Sequence, residues 1–152
     1  MARLPVASSV LMIYFASLSL ALALLSFTVS LRFFNEGDLV PSEMKMLEIT
    51  GAMAKLSEIE TLLLQKIGFP CVAANNAYEM CRAMPNSEFL DMHARHASGA
   101  DMNLLGAYGA SIGSQAARLA APDVKGFVGS SQDITAPFYG TETGMGTMPH
   151  AL

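Results

Sequence analysis

The residues best suited to chemistry begin with a short histidine-containing stretch. Asp91, His93 and His96 lie in the sequence DMHARH, and two imidazoles three positions apart share one face of a helix. A nearby carboxylate would complete a set of transition-metal ligands. Asp91 and His93, however, are two positions apart and face different ways on a helix, whereas Asp91 and Arg95 are spaced as an ion pair. We therefore predict a surface ion pair and no metal site.

Two cysteines, Cys71 and Cys81, form the second chemical pair. On one straight helix their sulfurs would lie about 15 Å apart, beyond the reach of a disulfide. A bond between them requires the chain to turn at Asn75-Asn76, and the alternative is two buried free thiols. The spacing leaves both open, and no second cysteine or histidine pair indicates structural zinc.

Catalytic and cofactor motifs are not found. The glycine-rich run GAYGASIGS lacks the GK[ST] ending of a phosphate-binding loop and has no clear strand before it. We find no serine elbow and no paired carboxylates in a recognisable loop. The sequence therefore predicts a non-enzymatic protein without a cofactor. A small redox or metal carrier using Cys71, Cys81, His93 and His96 is a third-ranked hypothesis, which metal analysis would test.

The elements that position these residues begin with an apolar N-terminal run. No charged side chain occurs from Leu4 to Leu31, which is longer than the roughly 20 residues needed to cross a bilayer. We predict one transmembrane helix, and a secretory signal peptide is the rival interpretation. Arg3 and the amino terminus place the N-terminus on the positive-inside face, because Glu36, Asp38 and Glu43 follow the run on its other side.

Small residues along this run form one face of the predicted helix. They recur at steps of three, four or seven, as is typical of a helix-packing interface in lipid. We call this face the small-residue seam. It comprises Ser9, Met12, Ala16, Ser19, Ala23, Ser26 and Ser30, in which Met12 fills the gap between the small residues Ser9 and Ala16. A partner helix is expected to lie against it.

A second, amphipathic helix is predicted from Ser42 to about Ile67, ended by Gly68 and Pro70. Ser42 would cap it, with Glu43 in the first turn, after a surface link at Asn35–Asp38. Its apolar residues repeat with a helical period and need a partner to bury against. They are Ile49, Ala52, Met53, Leu56, Ile59, Leu63 and Ile67.

The C-terminal part of the chain, from about residue 87, is predicted to be helical and then irregular. We expect helices at about Ser87–Ala97 and within residues 99–121, where GxxxG spacing indicates tight contact with another protein. Residues 122–152 are rich in Gly, Ser, Thr and Pro without a period, which predicts an extended tail. Phe127, Phe138 and Tyr139 would anchor that tail on neighbouring subunits.

Composition supports a membrane-associated class. Charged residues make up 14% of the chain and hydrophobic residues 52%, whereas about 25% charged residues is usual for soluble domains. The net charge of −4 and the lack of a basic cluster argue against nucleic-acid binding. The predicted fold is mostly α, with a single N-terminal transmembrane helix, a few amphipathic helices and an extended irregular C-terminal tail. Its parts are residues 1–34, a linker 35–42, a helical extramembrane region 43–121 and the tail 122–152.

These features predict a protein that works within an assembly. The leading hypothesis is a non-catalytic, single-pass accessory subunit that stabilises a large energy-transducing complex of the thylakoid or mitochondrial inner membrane. Its partners would be other subunits and the lipid bilayer, with peripheral lipid or pigment contacts, and its C-terminal part would face a lumen or intermembrane space. The alternative is a pilin-like or secretion-filament subunit that self-associates through its N-terminal helix.

Overall fold

The chain is a small α/β protein rather than the mostly α protein that the sequence predicts. A computed structural model of the 152-residue chain describes residues 30–147. In this range lie two α-helices, two two-stranded sheets and two 3₁₀ turns, in the order β1 Ser30–Phe33, β2 Leu47–Thr50, α1 Met53–Ala83, β3 Glu88–Asp91, the turn His93–Arg95, α2 Ala100–Ala120, β4 Gly126–Ser130 and the turn Ala136–Tyr139. The chain divides into two compact units, residues 1–65 and 66–152, which we describe separately.

The predicted transmembrane run lies almost wholly outside the described residues, as does the small-residue seam apart from Ser30. Between residues 30 and 147, no helix combines the length and apolar character needed to cross a membrane. Ser30 and Leu31, which end the predicted span, are the first residues of β1. Their predicted helical state is wrong, because Ser30 is paired with Thr50 and Leu31 with Ile49 in an antiparallel ladder.

In the first unit, β1 and β2 form this antiparallel hairpin, with Arg32 opposite Glu48 and Phe33 opposite Leu47. The predicted surface link after β1 is confirmed as a turn, in which the Asp38 carboxylate accepts a hydrogen bond of 2.8 Å from the Asn35 N–H. Gly37 supplies the positive φ of 83° that the turn requires.

The amphipathic helix begins later and ends later than predicted. Residues from Ser42 to Thr50 are not helical: Glu43 has a φ of 68°, outside the helical region, and β2 follows. Isoleucine and threonine at positions 49 and 50 suit a pleated strand, and α1 starts at Met53. The helix also continues through Gly68 and Pro70 to Ala83.

Packing in the second unit explains why α1 continues past its proline. Pro70 has no N–H to donate to the Lys66 carbonyl, so it weakens the helix there. Beyond it, Ala77 and Cys81 are buried in the core, and burial of this part of α1 outweighs the local propensity to stop. The core residues are Ala77, Cys81, Ala117, Val124 and Phe127, with Tyr78, Phe89, Ala110 and Tyr139 packed against them.

The second unit contains a β-α-β arrangement, β3–α2–β4. The two strands are parallel, and α2 connects the end of β3 to the start of β4, as parallel pairing requires. The predicted helix at Ser87–Ala97 is therefore wrong, because Glu88–Asp91 pairs with β4 and a 3₁₀ turn follows. The predicted helix within residues 99–121 is confirmed as α2.

Glycines of α2 bring this helix unusually close to α1. A Cβ at Gly113 would overlap the carbonyl group of Ala74, and one at Gly109 would overlap the carbonyl of Pro70 and lie 3.0 Å from the Cβ of Ala73. The GxxxG spacing thus forms a tight helix contact, but its partner is α1 of the same unit rather than another protein.

We predict that adding one methyl group at this contact destabilises the chain. Gly113→Ala should reduce the free energy of unfolding by about 1–3 kcal/mol, because the backbone of Ala74 cannot yield as a flexible side chain would. Thermal unfolding of the full chain in mild detergent would measure the loss.

Gly68 on α1 is the matched control. No atom lies within 4 Å of the position that a Cβ would occupy there, so Gly68→Ala should stabilise α1 by up to about 1 kcal/mol through helix propensity. Equal melting temperatures for the two variants would contradict the close helix contact.

Candidate functional site

Polar side chains gather where the parallel strands of the second unit end. β3 ends at Asp91 and β4 at Ser130, and α2 begins shortly after β3. The carboxyl ends of parallel strands are where open α/β sheets bind ligands. We call the side chains of this region the carboxyl-edge cluster, which comprises Asp91, His93, Asn103, Gln132 and Tyr139.

Asp91 is the centre of the cluster. It is 7% exposed. Its carboxylate accepts a short hydrogen bond from Nδ1 of His93 and a second bond of 3.1 Å from the backbone N–H of His93. Its other oxygen lies 3.1 Å from the Tyr139 hydroxyl. The buried carboxylate therefore has polar partners on both oxygens.

The cluster shifts the acidities of its members in opposite directions. Burial favours the neutral form of Asp91, but the hydrogen bonds and charge of His93 and the Tyr139 hydroxyl outweigh it and lower the pKa of Asp91. The hydrogen bond with Asp91 raises the pKa of His93, and burial opposes this rise. The charge of Asp91 raises the pKa further, as does the backbone of Met102 and Asn103. The geometry therefore favours an imidazolium–carboxylate pair.

The second imidazole nitrogen, Nε2 of His93, is enclosed. It is buried and makes no hydrogen bond to the residues that the structure describes. A Cβ at Gly106 would lie 2.5 Å from Nε2, so the ring rests directly on the backbone of α2. An external molecule cannot reach this nitrogen in the present arrangement, although an Asp–His pair could otherwise serve as a general base.

Tyr139 and the other predicted tail anchors pack within this chain. The Tyr139 hydroxyl lies 2.9 Å from the Ala107 carbonyl, to which it donates a hydrogen bond. Burial raises the pKa of Tyr139, and the negative charge of Asp91 raises it further. Phe127 stacks between Phe89 and Tyr139, with ring centroids 5.3 Å and 6.4 Å away. Phe138 meets Tyr108 edge to face at 5.4 Å.

The prediction of an extended, irregular tail over residues 122–152 is therefore wrong for the described part of this segment. Residues 126–130 form a strand, and a 3₁₀ turn at Ala136–Tyr139 folds back onto α2. The sequence shows no strand-like alternation here because β4 reads Gly-Phe-Val-Gly-Ser and is buried at almost every position. Aromatic side chains and backbone pairing hold this part of the chain, and residues 148–152 lie outside the described range.

The histidines predicted to lie on one helix are separated. His93 joins Asp91, whereas His96 is exposed beyond the 3₁₀ turn. Over residues 30–147, no group of three or more His, Cys, Asp or Glu side chains is placed to hold a metal ion. The ion pair that Asp91 forms is with His93.

The cysteines lie on the same helix. Cys71 is exposed, Cys81 is buried, and both thiols are free. Asn75 and Asn76, where a disulfide would require a turn, are helical residues of α1. Although the Cys71 side chain is exposed, neighbouring atoms partly desolvate its thiol and raise the pKa of that thiol.

One motif and one polar pair escape the sequence analysis. Gly109, Ser111 and Gly113 have the Gly-x-Ser-x-Gly spacing of a nucleophile elbow, which requires a strand-to-helix turn. Ser111 instead lies inside α2, buried, with its hydroxyl 2.8 Å from the Tyr108 carbonyl. The side-chain amide of Asn103 donates a hydrogen bond of 2.5 Å to that of Gln132. The sequence could have indicated this pair only if β3 and β4, which precede Asn103 and Gln132, had been recognised as parallel strands.

The predicted amphipathic residues line a groove in the first unit. Ile49 of β2 and Met53, Leu56, Ile59 and Leu63 of α1 lie along it, together with Ser57 and Glu60. The predicted apolar face is only partly covered, and Met53 remains 75% exposed. Ile67 belongs to the second unit and is half-buried.

Two tyrosines provide a test of the carboxyl-edge cluster. Tyr139→Phe should lower the free energy of unfolding by about 1–2 kcal/mol, because the buried Asp91 carboxylate and the Ala107 carbonyl lose the single hydroxyl proton that they share. Thermal unfolding of the full chain measures this loss.

Tyr108→Phe is the matched control. The buried Tyr108 hydroxyl makes no hydrogen bond to any described residue, so its removal should leave the melting temperature unchanged or raise it. A larger loss for Tyr108→Phe than for Tyr139→Phe would refute the assigned bonding.

Comparison with known proteins adds no functional assignment. No protein-family model, curated protein or solved structure matches the chain. The chemistry of the carboxyl-edge cluster and of the groove therefore has to be judged from their own geometry.

Proposed function

We propose that this chain is a non-catalytic accessory subunit that stabilises a multi-subunit membrane complex of the energy-transducing, photosynthetic or respiratory class. The observation that carries the proposal is the apolar surface of the first unit. Exposed large hydrophobic side chains occur there at a higher density along the chain than in the second unit, and exposed apolar side chains are candidates for an interaction surface where they adjoin one another. They are Leu31, Phe33, Leu39, Met44, Met46, Met53, Leu62 and Leu64.

The carboxyl-edge cluster supports a non-catalytic role. An Asp–His pair acts as a base only if its free nitrogen reaches a substrate proton. Here Nε2 of His93 is enclosed against Gly106 and Ser111 is buried in α2. Both groups stabilise the folded unit.

Membrane attachment is the part of the proposal that rests on sequence. The uncharged run that begins at Leu4 leads directly into β1, so insertion of the part that precedes β1 would hold the exposed apolar residues close to the bilayer and its resident subunits. On this proposal the second unit faces a thylakoid lumen or an intermembrane space, and lipids or pigments contact the periphery.

The proposal predicts co-migration with other subunits. Native membranes extracted in mild detergent, separated on a native gel and analysed by mass spectrometry should show this chain at fixed stoichiometry with respiratory or photosynthetic subunits. A ladder that contains this chain alone would reject the proposal and support a self-associating filament subunit.

Surface variants test whether the first unit makes the contact. Leu62→Gln with Leu64→Gln should release the chain from the complex without loss of thermal stability, because both side chains are at least 50% exposed. Leu119→Gln is the matched control, since Leu119 is 73% exposed on α2 of the second unit. Release by the Leu119 variant alone would place the interface elsewhere.

A further inference from the structure

His93 connects three parts of the second unit. Its Nδ1 is bonded to Asp91 at the end of β3, and its ring rests on α2 at Gly106. Through Asp91 it is linked to Tyr139, which also donates to Ala107 of α2. A change in the state of this imidazole therefore acts where the sheet, α2 and the C-terminal 3₁₀ turn meet.

The hydrogen-bonding geometry prefers one protonation state. Asp91 requires a proton on Nδ1 of His93, because a carboxylate only accepts hydrogen bonds. If the imidazole is neutral, Nε2 then presents a lone pair to the backbone of α2, in a buried position without a donor. If the imidazole is protonated, Asp91 balances its charge, and the backbone of Met102 and Asn103 also favours the protonated form.

We propose that His93 is a proton-dependent latch, in which the imidazolium holds the turn His93–Arg95 against the first turns of α2. The Nε2 proton leaves when this contact opens transiently, and the neutral ring then holds the contact less tightly. This device is independent of the accessory-subunit role. It gives the second unit a response to the pH of its compartment.

The groups that face His93 determine whether its protonated form is favoured. Asp91 from β3 carries the opposing charge, and Tyr139 approaches Asp91 from the C-terminal 3₁₀ turn. α2 presents the backbone of Met102 and Asn103, and α1 contributes the uncharged Phe69 beside Gly106. The latch is thus governed by the Asp91–His93 pair.

The pH window follows from these two groups. Asp91 raises the pKa of His93 above its usual 6.5, so the stabilisation is complete below that value and is lost as the pH rises through the folded-state pKa. His93 in turn lowers the pKa of Asp91 below its usual 3.8, so the pair weakens again only in stronger acid. The latch is closed between these limits.

The test is an NMR titration of the full chain in detergent micelles, combined with amide hydrogen exchange. The imidazole of His93, assigned by its loss in His93→Gln, should titrate above 6.5, and Asp91→Asn should move it back towards that value. After correction for the intrinsic rate, amides at residues 102–106 should exchange faster at about pH 9 than at about pH 6, because the imidazolium that holds the turn against α2 is lost between these pH values.

His96→Gln is the matched control, because His96 is exposed and lies outside the cluster. It should leave both the titration of His93 and the exchange at residues 102–106 unchanged. Titration of His93 in the wild-type chain at or below 6.5, or exchange at those amides that does not respond to pH, would overturn the proposal. The wild-type measurement decides this even if a substitution prevents folding.

Discussion

The second unit depends on two helices whose backbones come close together where α2 carries glycines. Gly109 and Gly113 let α2 lie directly on the backbone of α1 at Pro70 and Ala74. Because α2 also joins the two parallel strands, its position sets where β4 can pair with β3. One helix turn earlier, Gly106 leaves the space that the His93 ring occupies. A single pattern of small residues thus supports the sheet, the core and the carboxyl-edge cluster.

The sequence indicates this contact but not its partner. Small residues at GxxxG spacing predict close helix packing, yet the same pattern serves contacts within a chain and between chains. The predicted stop at Gly68 and Pro70 conceals the partner, because it removes the part of α1 on which α2 packs. Local propensity at Pro70 opposes a helix, and burial of Ala77 and Cys81, which depends on distant residues, overrides it.

The Asp91–His93 pair shows how the assumed secondary structure decides a site. On a helix, residues two apart point in different directions, and this rule leads to the wrong expectation for Asp91 and His93. Asp91 is instead the last residue of a strand, and the chain turns at Met92, so that the backbone N–H and Nδ1 of His93 both reach the Asp91 carboxylate. The same change separates His96 from His93. The aromatic residues of the C-terminal part were predictable as anchors from their isolation among polar residues, but their partners on β3 and α2 were not.

The different surroundings of the two thiols give the chain an internal reporter. Cys71 is open to solvent, whereas Cys81 is sealed within the core beside Ala77 and Phe127. A thiol reagent therefore modifies Cys71 in the native state and reaches Cys81 only when the second unit opens. The labelling rate of Cys81 therefore reports on that opening without any engineered probe, and labelling of Cys71 shows that the reagent is active.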